Sequence, residues 1–387
     1  MRKDCDDTGK AAISCGSGEK IRKAAVQLFA EKWYGTVSVA EICRRAGLSN
    51  GCFYRYYRTK EELFRALLED VNDRIATALD GVTGDTVIDR LRSFASIVFH
   101  FSQDNHDLVR VFREGQYRFF EYEHRLKAIY IAALEKALGD RIDLADYIFA
   151  LGGLRFTAVR AAFHDIPIRL DALQGILENG LFPDMEADPE KVYSGTIKPL
   201  PFEVAPDARE RLMLEGKKLF GKRGFFETNI HEITDAAELS VGAFYTYFES
   251  KESFYAELIH RVGSEVRHFI SLNLGPGLNR YETELRGLWL FIVYLSLDPH
   301  CYNIVREAEF VLPENVKSYY GAFVQGYRKH AEGSGGIDET TSIEFLLGVA
   351  HYFGLEVVFD ESPGNARALI QEIGAFLRGG LSARLSK

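Results

Sequence analysis

Cysteine is scarce in this chain of 387 residues, and the five present (Cys5, Cys15, Cys43, Cys52 and Cys301) form neither a CxxC pair nor a zinc-type spacing. That pattern excludes a disulfide scaffold and a zinc-organised fold, and reads as reduced thiols in a cytoplasmic protein. Long apolar runs are missing as well. The best, residues 288–297, is the length of a buried helix and far short of a bilayer. The N-terminus is polar and charged rather than an apolar leader. Nor is there a surplus of positive charge: the net charge is −9, so any surface for nucleic acid must be local. Nucleophile-elbow, phosphate-loop and dinucleotide-glycine motifs are absent. The histidines, among them His100, His164 and His351, are too scattered to argue a metal site, although each could orient a ligand. The expectation is a cytoplasmic protein that is not an enzyme, with no cofactor, no metal and no membrane partner.

What the chain does have is a repeat. Residues 28–64 and 219–255 align without a gap at a constant offset of 191, with thirteen identities that run from Leu28/Leu219 to Glu61/Glu252. Self-similarity at so long a period marks a duplicated unit, and a chain of this length is too long for one ordinary core. A unit present twice, at nearly half the chain length, reads as a covalent pseudo-dimer.

Within each copy the periodicity is helical. Ile21, Ala24, Ala25, Leu28 and Phe29 fall on one helix face. Gly35 ends that segment, and Ser38 with Glu41 three residues on makes a capping box for a second helix. Gly47 supplies a turn, Ser49 caps a third helix expected over residues 50–57, and Thr59 starts a fourth. Two short helices about a glycine turn, the second opening on small residues and carrying basic and aromatic ones, form a helix-turn-helix pattern. Gly51 and Cys52 would let that helix approach a DNA backbone, where its amides and positive dipole end favour phosphate. Tyr54, Arg55 and Tyr56 offer a guanidinium and hydroxyls to phosphates and base edges.

These residues carry a resemblance. The run Ile42 to Leu63, with Gly47-Leu48-Ser49-Asn50-Gly51-Cys52-Phe53-Tyr54 at its centre, is similar to the DNA-binding domain of the tetracycline-repressor (TetR) family. So is the run Ile233 to Phe254, through Ser240-Val241-Gly242-Ala243-Phe244-Tyr245-Thr246-Tyr247. The resemblance implies an all-α protein of two tandem units, each a three-helix head followed by an effector and dimerisation domain, paired within one chain. It places double-stranded DNA at Thr36, Ser38, Arg44, Arg45, Ser49, Asn50, Gly51, Cys52, Tyr54, Arg55, Tyr56 and Lys60 of the first head. In the second head it places DNA at Thr228, Asn229, Ser240, Val241, Gly242, Tyr245, Thr246, Tyr247 and Lys251. Departures set the copies apart. Trp33 stands where Gly224 keeps the family glycine, Val37 stands in place of a threonine, and Glu238 occupies the turn of Gly47, which predicts a strained and distorted turn. Residues 20–64 carry a charge of +5 and residues 211–255 a charge of −1, because Arg44, Arg45, Arg55 and Arg58 become Asp235, Ala236, Thr246 and Glu249. Since phosphate neutralisation dominates DNA affinity, the first head is expected to bind more strongly.

The remaining organisation follows. Residues 1–18 read as a disordered tail, 19–65 as the first head, 66–181 as the first effector and dimerisation domain, 207–256 as the second head and 257–387 as its effector domain. Between them, 182–206 holds Pro183, Pro189, Pro199, Pro201 and Pro206, a linker in which a regular helix is not expected. Faint internal matches pair Arg113-Glu114 with Arg306-Glu307, Gly152 with Gly348, and 177–181 with 377–381. The apolar glycine-containing segments 144–163 and 343–359 are the expected pairing helices. A small-molecule effector pocket would be lined by Phe94, Phe101, Phe112, Tyr117, Phe120 and Phe156 in the first half. Trp289, Tyr294, Tyr302, Phe310, Tyr320 and Tyr352 would line it in the second.

Overall fold

The computed structural model describes residues 7–116, 118–200, 207–329, 338–359 and 366–385. It divides into two compact units, one up to Arg141 and one from Ile142 onward, and among the described residues every regular element is a helix.

The first unit opens with α1 (Asp7–Glu31), a 3₁₀ turn at Tyr34–Thr36, α2 (Val39–Ala46), α3 (Asn50–Phe53) and α4 (Lys60–Asp80). Ile21, Ala24, Ala25, Leu28 and Phe29 of α1 are buried as one stripe. The start of α1 at Asp7 corrects the expected disordered tail. Extending a helix already nucleated on a packed stripe costs little per residue; residues 1–6 lie outside the described residues. The third helix is also shorter than expected: α3 ends at Phe53, and the chain reaches Tyr57 through turns in which the Tyr56 and Tyr57 amides donate to the Phe53 carbonyl. Then come α5 (Val87–Asp104), α6 (His106–Gly115) and α7 (Phe120–Leu138). Gly115 lets α6 lie directly on α4, since a Cβ there would sit 2.6 Å from Leu68 and 2.8 Å from Phe64.

The second unit begins with α8 (Leu144–Asp146), which passes through a π-helical stretch, Tyr147–Gly152, into α9 (Gly153–His164). α10 (Leu170–Asn179) and α11 (Pro189–Tyr193) follow, then the second head in α12 (Ala208–Arg223), α13 (Ile230–Ala236), α14 (Val241–Tyr247) and the start of α15 (Lys251–Leu274). The unit is completed by α16 (Arg280–Leu297), α17 (His300–Val311), α18 (Pro313–Arg328), α19 (Glu339–Phe359), α20 (Ala366–Gly379) and α21 (Ser382–Leu385). The segment 66–181 thus contributes to both units, because α8–α10 bury their apolar faces against α19 and α20. Within 182–206, Pro189 takes the first position of α11, the one helical site where a missing N–H is harmless. That corrects the expectation of no regular helix. Arg286 then holds this segment by donating to the carbonyls of Lys191, Val192 and Ser194 at 2.9–3.1 Å; residues 201–206 lie outside the described residues.

The packing of α9–α10 on α19–α20 is reciprocal in the manner of a two-fold axis. The Leu181 amide donates to the Leu377 carbonyl at 2.6 Å, and the Leu381 amide to the Leu177 carbonyl at 2.8 Å. A Cβ on Gly152 would sit 2.9 Å from the Cβ of Tyr352; one on Gly348 would sit 2.7 Å from the Cβ of Phe156. Each pair exchanges the same two positions of the two repeats. One contact breaks the symmetry. Arg160 of α9 binds both carboxylate oxygens of Glu344 on α19, at 2.9 and 3.1 Å, with both side chains buried. Removing one member of such a pair strands the other charge, whereas replacing both does not. Arg160→Leu should therefore lower stability by about 3–5 kcal/mol. The double variant with Glu344→Leu should recover most of that loss in chemical denaturation; additive losses would contradict the pairing.

Candidate nucleic-acid interface

The two heads are built on the same local rules. Ser38 accepts from the Glu41 amide at 3.2 Å while the Glu41 carboxylate accepts from the Ser38 amide at 3.1 Å. Asn229 and Glu232 repeat that box at 3.0 Å each way. Lys32 is the main cause that holds the Glu41 carboxyl down to about 2, the Ser38 amide adding to it. Gly47 sits in the left-handed region at φ 69°, and Glu238 takes the same conformation at φ 55°. The expected distortion of the second turn is absent. Gly47 and Leu48 donate to the carbonyls of Arg44 and Cys43, and Glu238 and Leu239 donate to those of Asp235 and Thr234 at matching distances. The hydrogen bonds are kept, and the strain stays in one residue's backbone, roughly 1–2 kcal/mol.

On the first head the expected residues separate into a presented group and an internally engaged group. Thr36, Ser38, Arg44, Ser49, Asn50, Gly51, Tyr54 and Arg55 are exposed, Tyr54 by 60%, and Tyr56 is half-buried. Arg44, Arg55 and Arg58 make no side-chain hydrogen bond or ion pair among the described residues. A Cβ at Gly51 would meet nothing within 4 Å, so internal packing does not demand a glycine there. The others are engaged. Arg45 is clamped by both Glu31 oxygens at 2.8 Å. Cys52 is buried beside Cys43 in the head's core, which corrects its place among the DNA-facing residues. Lys60, expected on phosphate, instead donates to the Tyr34 and Val37 carbonyls at 2.7 and 2.6 Å, and burial lowers its pKa. It braces the loop between α1 and α2.

On the second head Asn229, Ser240, Gly242, Tyr245, Thr246 and Tyr247 are exposed and Val241 is half-buried. The Ser240 hydroxyl caps α14 by accepting from the Ala243 amide, and Thr246 donates back to the Gly242 carbonyl. Thr228 is 1% exposed, so its hydroxyl faces the core and not a DNA backbone, a further correction. Lys251 lies over the Phe225 ring at 4.2 Å, with its pKa lowered by burial. Asp235, Glu238 and Glu249 are exposed where the first head presents Arg44, Gly47 and Arg58.

A carboxylate that the periodicity did not assign joins each head to the helices behind it. Glu114 on α6 accepts from the Tyr34 amide at 2.6 Å, and Glu307 on α17 accepts from the Phe225 amide at 2.6 Å. Both hold the loop after the first head helix, and both belong to the Arg-Glu pairs matched between the halves. Burial pushes the Glu114 carboxyl up to about 8, outweighing the Tyr34 amide and the charges of Arg118, Arg110 and Lys60.

The expected effector residues do not come together as one lining. A cavity of about 540 Å³ in the second unit is lined by Tyr302 and Tyr320 from that group, with His351 alongside. The Tyr302 hydroxyl lies 3.2 Å from His351 Nδ1. Trp289 packs instead on Tyr193 and Arg367, Tyr294 donates to Glu265, Tyr352 packs on Gly152, and Phe310 is not in the wall. In the first half Phe94 and Phe112 are core and Phe120 meets His124 edge to face. Phe101 borders a more polar recess with His100 and Asp104. Phe156 belongs to the helix-pairing contact, against Tyr320. Tyr117 lies outside the described residues. Among those residues no group of three or more His, Cys, Asp or Glu is arranged to hold a metal, and no single helix is long and apolar enough to cross a membrane.

The Glu114 carboxyl gives a pH prediction. Its folded-state pKa lies above the ordinary value near 4.5. The stability from the tighter hold on its proton is therefore complete below about pH 4.5 and is lost as pH rises through about 8. Between pH 5 and 8.5 the native protein should lose stability relative to Glu114→Gln, by an amount on the order of a few kcal/mol. Parallel denaturation profiles for the two proteins would contradict this.

Comparison with known proteins agrees with the geometry. The family model for bacterial regulatory proteins of the tetR family matches twice, at residues 21–67 and 212–258. The chain is 31% identical over 161 residues to YdgC of Bacillus subtilis, an uncharacterized HTH-type transcriptional regulator, over 38% of this chain and 78% of that protein. It is 40% identical over 79 residues to the HTH-type transcriptional repressor NemR of Escherichia coli, over 20% of this chain and 40% of that protein. A TetR-like transcriptional regulator from Rhodococcus sp. RHA1 is similar in structure, with 25% identity, a TM-score of 0.39, and coverage of 44% of this chain and 97% of that one. Matched twice by the family model and related to YdgC over most of that protein's length, this chain belongs to the tetR family of regulators.

Proposed function

We propose that this chain is a cytoplasmic transcriptional repressor in which two unequal heads read one asymmetric or pseudo-palindromic operator, and from which a small apolar or aromatic effector releases DNA. The observation that carries the reading is the face of the first head. Arg44, Arg55 and Arg58 stand there with no side-chain partner among the described residues, beside an exposed Tyr54 and a glycine at 51 that packing does not require. Exposed guanidinium groups are what phosphate neutralisation needs. Effector binding would act by favouring a conformation in which the heads are wrongly placed for DNA. The two glutamates, Glu114 buried and Glu307 half-buried, each on a helix behind a head and each holding a head loop, are suited to transmit such a change.

The alternative keeps the fold but makes the protein a ligand-sensing or protein-interaction module with weak or lost DNA binding in the second head. The exposed Asp235, Glu238 and Glu249 favour it for that head alone.

The Arg160–Glu344 pair supports a chain that closes on itself and acts as a monomer. At the offset of 196 that relates Gly152 to Gly348, the counterpart of Arg160 is Glu356 and that of Glu344 is Ile148. Pairing two first halves would set a buried Arg160 against Ile148, and pairing two second halves would set Glu356 against Glu344. Each homotypic arrangement buries an uncompensated charge, so the intramolecular partner is favoured.

Genomic fragments retained by the purified protein provide the test. On such a fragment, Arg44→Ala with Arg55→Ala should weaken binding and reduce the slope of log affinity against log salt by about 2, roughly one per phosphate contact. Tyr245→Ala should cost less than Tyr54→Ala. An unchanged slope in the double arginine variant would sink the assignment of that face.

A further inference from the structure

The cavity of the second unit carries an imbalance of charge that its apolar walls make expensive. Among the described residues, Arg267, Arg280, Arg306 and Lys329 border it, with Glu284 and Glu309 as the acidic residues. Glu284 is taken: it pairs with Arg280 at 2.6 Å, both side chains being buried. Glu309 faces His164 at 3.7 Å. Arg267, on α15, has no carboxylate within ion-pair distance among the described residues. Its guanidinium lies over the ring of Phe323, 5.3 Å from the centroid, and beside the Tyr319 ring. Gly263, one turn earlier, makes this arrangement possible: a Cβ there would stand 2.7 Å from Tyr319 and 2.9 Å from Arg267 Nη1. Burial lowers the Arg267 pKa and only Tyr319 opposes it, as expected of a cation held away from water without a counter-charge.

A half-buried cation without a partner is costly unless something that enters the cavity supplies the negative charge. Around it the wall is aliphatic and aromatic, with Ile270, Leu274, Phe291 and Leu346, and the volume of about 540 Å³ is that of a site for a small organic molecule. We infer that the second unit takes an apolar monocarboxylate, with its head group on the Arg267 guanidinium and its body along the aromatic wall. A guanidinium offers a carboxylate two parallel N–H donors, while the described carboxylates of the wall, Glu284 and Glu309, already face Arg280 and His164. The inference rests on the reading of this cavity as the effector site.

The experiment is displacement of the neutral fluorophore N-phenyl-1-naphthylamine from the full-length protein by decanoate, 1-decanol and decylamine. Decanoate should displace the probe at a concentration lower than decanol by about tenfold or more, the ratio expected of a charge-assisted hydrogen bond, and decylamine should be the weakest of the three. In Arg267→Met, which keeps an apolar stem over Phe323, the decanoate advantage should vanish while the decanol curve stays in place. If decanol or decylamine matches decanoate on the native protein, the cavity remains a ligand site and the anion assignment is overturned. Retention of the decanoate advantage in Arg267→Met overturns the role of that residue. If the fluorophore does not bind, or none of the three compounds displaces it, the effector reading itself fails and this inference falls with it. The comparison on the native protein needs no variant, so a misfolded Arg267→Met leaves the test intact.

Discussion

The close crossing of α9 and α19 is the constraint on which the second unit depends. Gly152, Gly153 and Gly348 bring the two helices to backbone contact; a Cβ on Gly153 would lie 2.3 Å from the Phe345 ring. At that separation the flanking Phe149 and Phe345 rings meet edge to face at 5.2 Å, and Arg160 reaches Glu344 across a dry contact. The reciprocal backbone bonds between 177–181 and 377–381 close the end of the same interface. Joined covalently, the two halves meet at a high effective concentration, and the interface no longer has to be strong enough to assemble from dilute chains. On the proposed monomer, the pairing of like halves would have to be rejected, which is the service an asymmetric buried ion pair can perform at some cost in stability.

Duplication also frees the copies to diverge where pairing does not constrain them. The capping boxes, the left-handed turn and the glutamate that holds the α1–α2 loop are kept in both heads, because each satisfies backbone groups that would otherwise be stranded. The exposed face has drifted. Three arginines of the first head have become Asp235, Thr246 and Glu249, and none of these changes touches the core. Similar scaffolds with different surface charge bind a polyanion with different strength, which is the basis for proposing a strong reader and a weak or altered one in one chain.

The architecture was legible because the repeat, the helical periodicity and the caps are local signals. Ser38 with Glu41 specified a helix start that the structure reproduces atom for atom, and the gapless offset of 191 announced a second head. What was not legible depends on three-dimensional neighbours. Lys60 sits one position into its helix in either reading, yet whether its ammonium faces outward or back onto the Tyr34 and Val37 carbonyls is decided by a loop 23 residues or more away. Cys52 and Thr228 looked polar and small enough for a surface, but burial placed them inside. Of the aromatic residues proposed for an effector pocket, Phe94, Phe112, Phe156 and Tyr294 are buried in packing contacts, since a large ring on a helix stripe packs inward whether or not a cavity is nearby. Arg267 was the opposite case. Arg267, beside Val266 and one turn before Ile270, was visible in the sequence, but only its lack of a carboxylate partner among the described residues gives it meaning.

The most direct measurement of the central claim is the stoichiometry and footprint of the complex on a minimal fragment selected from genomic DNA. The account predicts a complex containing one chain per fragment, with two adjacent protected half-sites, the stronger one dependent on Arg44 and Arg55. A complex that requires two or more chains for saturable binding, or a single protected half-site unaffected by either head, would contradict it.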